Sequence, residues 1–396
     1  MKSLDIDPFH TTNLESPKDF QDVLRANGPI VWLPDYGIYA TGHYQIAKAI
    51  LDAPLQFISS DGVGIVAVPK NEAPSPHLHP KRNPLIEVDP PQHTVVRALV
   101  ETALSASLVK QIAGDAASHA DALLANCKHV SYFDAVADFA LPLALGAYPH
   151  AFGLQTQERS ALVALGELAM NSLGPRNKCF MSSAMRLGEL KGWLSEHLAP
   201  TALRPGSIGN TLYASASRTM DAVDAQDLVN TVLISGVDTF LAGLTSTLYC
   251  LASNPAQWQI LRSRPELASR AFEEAMRLEA PIQMCYRTIH ETTILAGEQL
   301  QAGNKIMIHL GAASRDGAYY QNPDDYDLLR EERPGLAFGS GIHRCVGRAL
   351  ALLQSQAVIN VLLHKCSSLR LTAPASFKVN NTLRRLDSLP LHTTPN

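Results

Sequence analysis

The feature that most constrains this chain is segment 338–351, Phe-Gly-Ser-Gly-Ile-His-Arg-Cys-Val-Gly-Arg-Ala-Leu-Ala, in which a glycine-rich turn leads into a helix. Three small residues at 339–341 allow a tight turn and a close approach to a bulky planar ligand. The apolar run from Val346 predicts a helix, so Cys345 lies near a helix N-terminus, where backbone N–H groups lower the pKa of a thiol. The pattern predicts a thiolate that serves as a ligand.

Two simpler interpretations of Cys345 have to be weighed. A lone cysteine is most often a small buried hydrophobic side chain. His343 and Cys345 could instead belong to a zinc site, but zinc takes four ligands at paired spacings. The remaining cysteines are scattered singly, without a Cys-x-x-Cys pair: Cys127, Cys179, Cys250, Cys285 and Cys366. Such spacing fits a reducing compartment better than a disulfide scaffold.

The fixed positions of the segment, Phe-Gly-x-Gly-x-His-x-Cys-x-Gly, resemble the haem-binding loop of the cytochrome P450 family. The resemblance implies haem b as the cofactor, Cys345 as its iron ligand, and Phe338 and Gly339 in contact with it. It also implies a mainly α (α+β) fold, a large helical body with small β-sheets, as a single haem domain over residues 1–396. A thiolate ligand donates electron density that favours cleavage of the O–O bond.

Composition is consistent with a large globular core, since 46% of the 396 residues are hydrophobic and 18% are charged. The net charge of −4 gives no reason to expect nucleic acid as a partner. The polar, acid-containing segment 1–20 resembles neither a signal peptide nor a membrane anchor. We therefore expect a cytoplasmic monomer that does not contact a membrane.

Local patterns predict strands near the N-terminus and helices over most of the remaining chain. The predicted strands are 29–33 and 37–41, and the predicted helices are 44–51, 94–108, 116–125, 159–173, 184–197, 225–251, 265–277 and a final one from 346. Five prolines between 69 and 84 predict a long loop. The glycines at 62 and 64 superficially fit a dinucleotide fingerprint, but prolines follow where its helix must begin, so electrons must come from another protein.

The centre of the longest predicted helix, 234–239, reads Ile-Ser-Gly-Val-Asp-Thr, which is poor helix-forming sequence. Taken alone, it would be a polar cluster on a solvated helix face. In cytochromes P450 the matching stretch of the long distal helix carries a glycine, an acid and a threonine, and it bulges above the haem. The resemblance therefore implies that Gly236 makes room for oxygen and water, and that Asp238 and Thr239 deliver protons.

Glu274 and Arg277 lie three residues apart and so share one helix face. An isolated pair of this kind is normally a surface ion pair of little energetic value. The resemblance implies instead the buried Glu-x-x-Arg pair that helps to hold the haem-binding core, with Arg333 as a third member.

Haem carries two propionates that need cations. His93 and Arg97 are four residues apart at the start of a predicted helix and can reach the same anion. Arg287 and His343 join them through the resemblance to soluble bacterial members of the family. Each of the four in isolation would more simply be a solvated side chain.

The implied activity is that of a haem-thiolate monooxygenase, which uses O2 and two electrons to hydroxylate a C–H bond or to O-demethylate a methoxy group. Electrons would come from a ferredoxin and its NAD(P)H-dependent reductase, docked on the basic face around Arg344 and Arg348. One alternative is a peroxide-driven enzyme, against which the acid and hydroxyl at 238 and 239 argue. Another is a haem-based sensor or carrier without turnover.

The expected substrate is a small, largely apolar organic molecule with one polar end. Segments 85–91 and 235–239 resemble bacterial members that oxidise substituted benzoates and aromatic ethers, which suggests an aromatic acid or a methoxyarene. The candidate pocket residues are Ile65, Val66, Asn230, Thr231, Ile234, Ser235, Ile282 and Met284. Basic side chains of the proline-rich loop, His77, His79, Lys81 and Arg82, could meet a carboxylate or could be solvated.

Overall fold

The computed structural model describes residues 1–65, 82–126, 132–331 and 335–396. Over these residues the α-helices are α1 (Thr11–Glu15), α2 (Lys18–Ala26), α3 (Tyr44–Asp52), α4 (Gln92–Ala103), α5 (Ala106–Asn126), α6 (Leu141–Ala144), α7 (Ala147–Phe152), α8 (Ala161–Ser172), α9 (Lys178–Ala184), α10 (Leu187–His197), α11 (Ile208–Ala216), α12 (Ala222–Ser235), α13 (Asp238–Ser253), α14 (Pro255–Ser263), α15 (Ala268–Glu279), α16 (Leu310–Ala313) and α17 (Arg348–Lys365). A π-helical segment covers Ala135–Ala140, and 3-10 turns cover Pro265–Leu267 and Gly341–His343. The predicted helical body is therefore confirmed.

Strands are short and mostly near the two ends of the chain. Within the described ranges they are β1 (Lys2–Ser3), β2 (Val31–Leu33), β3 (Ile38–Thr41), β4 (Phe57–Ile58), β5 (Tyr132–Asp134), β6 (Cys285–Ile289), β7 (Thr293–Leu295), β8 (Glu298–Leu300), β9 (Lys305–Ile308), β10 (Cys366–Leu371), β11 (Ser376–Lys378), β12 (Arg385–Ser388) and β13 (Pro390–Pro395). They form one six-stranded sheet, β1-β2-β3-β9-β6-β4, and smaller sheets β10-β13-β5, β11-β12 and β7-β8. The expected combination of a large helical body and small sheets is present.

The six-stranded sheet joins the N-terminal segment to the middle of the chain. β3 runs parallel to β9, with Tyr39 opposite Ile306. β6 runs antiparallel to β9, with Arg287 opposite the same Ile306. Alternation along β6 buries Tyr286 on one face of the sheet and directs its neighbours to the other. This register fixes where the Arg287 side chain leaves the sheet.

Helix α13 passes through the largest hydrophobic cluster, and nearly all of its side chains are buried. It packs against α8, α15 and the strand β12, and α5 packs along α17. The stretch Ala222–Ser253 is long and apolar enough to cross a membrane by length and composition, since an 18-residue window within it has a mean hydropathy of 1.5. The core helix of a globular protein passes the same test, and 67% of that window is buried inside the fold.

Several helix boundaries differ from the predicted ones for local reasons. The helix predicted over 225–251 is interrupted at residues 236–237, where the glycine lies. The helix predicted over 94–108 ends at Ala103, and a new helix, α5, starts at Ala106 and includes the predicted helix 116–125. The last helix begins at Arg348 instead of Val346, because Gly347 forms its N-terminal boundary.

Candidate active site

The cysteine loop is closed by backbone hydrogen bonds. The N–H of Cys345 donates to Phe338 O at 2.8 Å, and the N–H of Gly339 donates to Leu336 O at 2.8 Å. Gly339 and Gly341 have φ values of +71° and +67°, which side chains with a Cβ rarely adopt. The two glycines therefore make the turn possible.

A second constraint on the loop is the close approach of helix α3. A Cβ added at Gly341 would overlap Leu51 O at the end of that helix. The hydroxyl of the neighbouring Ser340 donates to the Asp52 carboxylate. The loop is thus fixed to α3 on one side and to α17 on the other.

Cys345 is a free, solvent-accessible residue on this loop, although protein atoms surround much of its side chain. Burial raises the pKa of the Cys345 thiol above its usual value, and the N–H groups of Gly347 and Arg348 together with the charge of Arg97 oppose that rise. The expectation of a lowered pKa is therefore wrong in net direction, because desolvation outweighs the N–H groups. A coordinated metal ion would reverse this balance, since it deprotonates a thiol outright.

No three His, Cys, Asp or Glu side chains in the described ranges are arranged to hold a metal ion. The sulfur of Cys345 lies 3.8 Å from the place that a Cβ on Gly347 would take. A Cβ at 347 would therefore make an ordinary van der Waals contact with the sulfur.

His93, Arg97, Arg287 and His343 surround one region beside the loop. The rings of His93 and His343 lie 4.2 Å apart, centroid to centroid. Arg97 Nη1 donates to the carbonyls of Ile342 and Arg344 at 2.9 and 2.7 Å, which ties α4 to the loop. The structure therefore brings together the four residues that were predicted to bind propionates.

The same region has donors without anionic partners. Arg287 is 7% exposed, and the only hydrogen bond of its side chain to another described residue runs from Nη1 to Tyr286 O at 2.8 Å. His343 Nε2 is buried and has no hydrogen-bond partner among the described residues. Burial, aided by Arg287 and His93, lowers the pKa of His343 to about 3. Burial likewise lowers the pKa of His93, and Arg97 adds to that effect.

A buried guanidinium and an orphaned imidazole nitrogen are costly unless an anion pairs with them. The two carboxylates of haem are anions of the required kind, and the adjoining loop presents the sulfur of Cys345, an atom of the kind that binds haem iron in some haem proteins. The residues present therefore fit the haem group that the loop implies.

The distal helix breaks between Ser235, the last residue of α12, and Asp238, the first of α13. Ser235 is exposed although the residues around it in the helix are largely buried, and the Thr239 hydroxyl donates to Ser235 O. The break lies where the resemblance implies a bulge. Gly236 itself has a φ of −87°, so the backbone conformation there does not require glycine.

Asp238 is 1% exposed and pairs with Arg385, whose Nε lies 3.1 Å from Asp238 Oδ1. Neither carboxylate oxygen accepts a well-aligned hydrogen bond from a described residue, so the contact is an ion pair without hydrogen-bond geometry. Burial raises the pKa of Asp238 to about 6; Arg385 and Lys378 lower it, and Glu167 raises it. An acid with this pKa can exchange protons near neutral pH.

Glu274 and Arg277 form a buried two-point ion pair, with Nε to Oε2 at 2.9 Å and Nη2 to Oε1 at 2.8 Å. The third described member is Arg330, whose Nε donates to Glu274 Oε1 at 2.9 Å. Arg333, the predicted third member, lies outside the described residues. Arg277 also donates to the carbonyls of Ser314 and two residues of 323–325, which fixes the segment leading to the cysteine loop.

The predicted substrate-pocket residues that lie outside α12 are placed at two hydrophobic clusters. Ile65 and Met284 are buried together in a cluster beneath the N-terminal sheet. Ile282, which is half-buried, bridges to Leu383 and packs on a second cluster. Val66, His77, His79 and Lys81 lie outside the described residues. Arg82 Nη2 lies 3.9 Å from Asp61 Oδ1.

The pocket candidates on α12 are partly accessible, in contrast to Ile65 and Met284. Asn230 accepts a hydrogen bond from Gln226 Nε2, and Thr231 Oγ1 accepts one from Asn83 Nδ2 at 2.6 Å. Ile234 is half-buried beside Ser235. As lining of a pocket, all of these positions stay predictions.

Sequence reasoning missed three charged residues near the site. Arg385 faces Asp238 from β12, Arg330 completes the Glu274 network, and Lys305 is buried with its ammonium bonded to the carbonyls of Asp61 and Gly62. Burial lowers the pKa of Lys305 to about 8. A lysine or arginine in a strand-forming or polar segment carries no local signal that it will be buried.

Comparison with known proteins identifies the family of this chain. The sequence model of the family described as Cytochrome P450 matches residues 257–381. A curated relative, Cytochrome p450 CYP199A2 from Rhodopseudomonas palustris, is 36% identical over 99% of this chain and 94% of its own length. Cytochrome P450 144 from Mycobacterium tuberculosis is 27% identical over 97% of this chain and 90% of its own.

Solved structures give the same result for the fold. P450BioI, in a complex with an acyl carrier protein that carries hexadec-9Z-enoic acid, superposes with a TM-score of 0.85 at 25% identity, covering 96% of this chain and all of that one. The helical body with small sheets is therefore the fold of the P450 structures. This chain belongs to the cytochrome P450 family, whose members are haem-iron monooxygenases that act on small molecules with O2 and a redox partner.

Proposed function

We propose that this cytochrome P450 binds haem b and hydroxylates or O-dealkylates a small organic substrate, an aromatic acid or a methoxyarene, with electrons from a ferredoxin. The observation that carries the oxygen-dependent chemistry is the buried acid at the break in the distal helix. Asp238, with a pKa of about 6, stands next to the Thr239 hydroxyl and beside the exposed Ser235. An enzyme driven by peroxide has no need of this pair.

Haem supplies the iron centre at which dioxygen is reduced and a C–H bond is oxidised. Cys345 would be the ligand of its iron, and Phe338 and Gly339 would contact the cofactor. Arg287, with one hydrogen bond, and His343, with an unpaired Nε2, would bind its carboxylates together with His93 and Arg97. The roles of Arg287 and His343 rest on their donors without anionic partners. Arg97 already pairs with Glu101 at 2.8 Å, so the roles of Arg97 and His93 rest on the resemblance and on their place beside the loop.

Protons would reach the site through α13. Asp238 exchanges protons because its pKa is near neutral, and the Thr239 hydroxyl, which donates to Ser235 O, can pass a proton on by rotating. Lys378 and Glu167, whose charged groups lie 3.6 Å apart near the surface, are the next charged groups on this side. Helix α8 packs closely on Asp238 and excludes water from that side. The contact is so close that a Cβ added at Gly166 would lie 2.6 Å from the Asp238 Cβ.

Electrons would arrive on the side of the cysteine loop. Arg344 is exposed there, whereas Arg348 donates to the Glu273 carboxylate and lies over the Phe338 ring at 5.8 Å. Arg344 is therefore the cation that we propose contacts an acidic ferredoxin, which receives its electrons from an NAD(P)H-dependent reductase. Substitution Arg344→Glu should raise the KM for ferredoxin far more than the KM for substrate.

The substrate proposal rests on the resemblance of segments 85–91 and 235–239 to bacterial enzymes of aromatic acids and ethers. Ile234 offers apolar surface and Ser235 a hydroxyl at the same turn of the helix. A panel of ligands, read by the shift of the haem Soret band, tests it. Benzoates and methoxyarenes should shift the band, whereas a response confined to terpenes or fatty acids would remove the substrate class and leave the monooxygenase proposal intact.

Two rival functions give different outcomes in the same preparation. Product formation with hydrogen peroxide alone, faster than with ferredoxin, reductase and NADH, would favour a peroxide-driven enzyme. No substrate-dependent oxidation of NADH across the panel would favour a sensor or carrier.

We also propose a cytoplasmic location for this protein. The five cysteines of the described residues are all free, which supports this location.

A further inference from the structure

Tyr148 on α7 packs against the break in the distal helix. It is 2% exposed, and its hydroxyl donates to Val232 O in α12 at 2.7 Å. Its ring lies against Gly236, where an added Cβ would overlap Cε1 and lie 2.8 Å from Cζ. The Tyr148 side chain thus contacts both ends of the last turn of α12, Val232 and Gly236.

The hydrogen-bond pattern of the backbone explains the first contact. In a continuous α-helix the N–H of Gly236 would donate to Val232 O, four residues earlier. Here that N–H donates to Leu233 O at 3.2 Å, and the N–H of Val237 donates to Ile234 O at 3.2 Å. The tighter turn leaves Val232 O without its helical donor, and the Tyr148 hydroxyl takes that place.

The second contact explains the glycine. Because the φ of Gly236 is −87°, any residue could adopt the backbone conformation at this position. What excludes a side chain is the ring of Tyr148. The resemblance implies that a glycine at 236 leaves space for oxygen and water. In this chain the glycine also leaves space for the ring of the buried Tyr148.

We infer that Tyr148 is a positioning residue that holds the distal helix in its broken form. The hydroxyl competes with the Gly236 N–H for Val232 O, and the ring occupies the space beside residue 236. Both contacts keep Asp238 and Thr239 in the orientation that the break gives them. This role rests on the proposed function of those two residues in proton delivery. The Tyr148 hydroxyl bonds to Val232 O and to neither of the two.

The test is Tyr148→Phe, which removes the hydroxyl and keeps the ring. Val232 O then becomes a buried acceptor without a partner, and the Gly236 N–H is the nearest donor that can satisfy it. Hydrogen exchange of the haem-loaded protein, followed by mass spectrometry, should therefore slow about tenfold at the amides of 236–237, as the regular helical bond forms. Unchanged or faster exchange there would overturn the inference.

Turnover gives a second readout. In Tyr148→Phe the yield of product per NADH should fall about tenfold and peroxide release should rise, at an unchanged KM for substrate. The matched control is Tyr326→Phe, because Tyr326 is also buried and donates to a helix carbonyl, Ala271 O at 2.9 Å, away from the break. It should leave yield and exchange at 236–237 unchanged; an equal effect in both variants would mean a loss of general stability.

Two further variants separate this inference from the proposed function. Asp238→Asn and Thr239→Ala should each reduce the yield of product per NADH. If neither does, the proposed proton route is wrong, whatever Tyr148 does. If both do and Tyr148→Phe does not, the route stands and the positioning role of Tyr148 is wrong.

The ring contact has its own test, which does not depend on activity. Tyr148→Leu should lower the thermal midpoint of the wild-type chain, because it leaves a cavity. In a Gly236→Ala background the same change should raise the midpoint, since it removes the overlap with the new Cβ. A lower midpoint in both backgrounds would show that residue 236 and the ring are not matched.

Discussion

Replacement of Arg385 by Gln should convert Asp238 from a carboxylate into a neutral acid at neutral pH. Both side chains are buried, and the ion pair between them is 3.1 Å long. At an effective dielectric constant of about 20, the attraction over this distance is about 5 kcal/mol. Protonating a group of pKa about 6 at pH 7.5 takes only about 2 kcal/mol. Even half of the attraction is therefore enough to decide the charge of Asp238.

The other charged groups near Asp238 do not change this conclusion. Lys378 lowers the pKa of Asp238 and Glu167 raises it, and each changes this pKa no more than Arg385 does. These two groups are themselves 3.6 Å apart and partly exposed, so their opposing influences are screened. Burial is the largest cause of the raised pKa, and without Arg385 it is largely unopposed.

Infrared difference spectroscopy is the direct assay. The spectrum of Arg385→Gln minus that of Arg385→Gln/Asp238→Asn at pH 7.5 should contain the carbonyl stretch of a protonated carboxyl group, and the wild-type difference should not. The matched control is Arg384→Gln, because Arg384 pairs with Glu279 at 3.0 Å and not with Asp238. If the band is missing from Arg385→Gln, or appears equally in Arg384→Gln, Arg385 does not set the charge of Asp238.

The pH dependence of folding stability tests the raised pKa of Asp238, and its sign is defined. The pKa of Asp238 is raised from 3.8 to about 6 by folding, so the native state binds this proton more tightly than the unfolded state. The contribution to stability is then fully present below about pH 4 and is lost as the pH rises through about 6, a change of about 3 kcal/mol. The difference in unfolding free energy between wild type and Asp238→Asn should follow this course, and a difference independent of pH would contradict it.

Three other outcomes test the remaining parts of the site. Glu274→Gln removes the charge shared by two buried arginines and should lower the free energy of unfolding by about 3–5 kcal/mol, whereas Glu273→Gln, in a partly exposed pair, should change it by less than about 1 kcal/mol. Gly341→Ala places a Cβ on Leu51 O at a φ of +67°, so the purified protein should contain much less haem per chain by pyridine haemochrome assay. Cys345→Ala should lose the thiolate-type spectrum of the reduced carbon monoxide complex; its retention would place the ligand elsewhere.

The cysteine loop could be predicted from the sequence because its determinants are consecutive. Glycines with positive φ, the cysteine and the start of a helix all lie within 338–351, so local chemistry dictates the turn. The same holds for Glu274 and Arg277, whose spacing of three residues places them on one helix face. For such features the sequence distance and the spatial distance are nearly the same.

The residues that the sequence did not reveal act across the fold. Arg385 reaches Asp238 only because β12 packs on α13, and Arg330 pairs with Glu274 from a position 56 residues further along the chain. The pKa of Cys345 also had the wrong expected direction, since the N–H groups near the helix start can be read locally while burial cannot. Desolvation and long-range pairing depend on tertiary packing.

The distal helix shows how both kinds of information combine. A glycine before an acid and a threonine predicts a weak point in the helix. It does not predict which side chain of a neighbouring helix packs against that point. In the structure two close contacts with glycines decide this: the Tyr148 ring on Gly236, and Gly166 of α8 on Asp238, where an added Cβ would lie 2.6 Å from the Asp238 Cβ. Neighbouring helices determine the orientation of Asp238 and Thr239 from outside the proposed substrate region. Substitutions at these contacts should therefore alter the yield of product per electron pair while leaving substrate affinity unchanged.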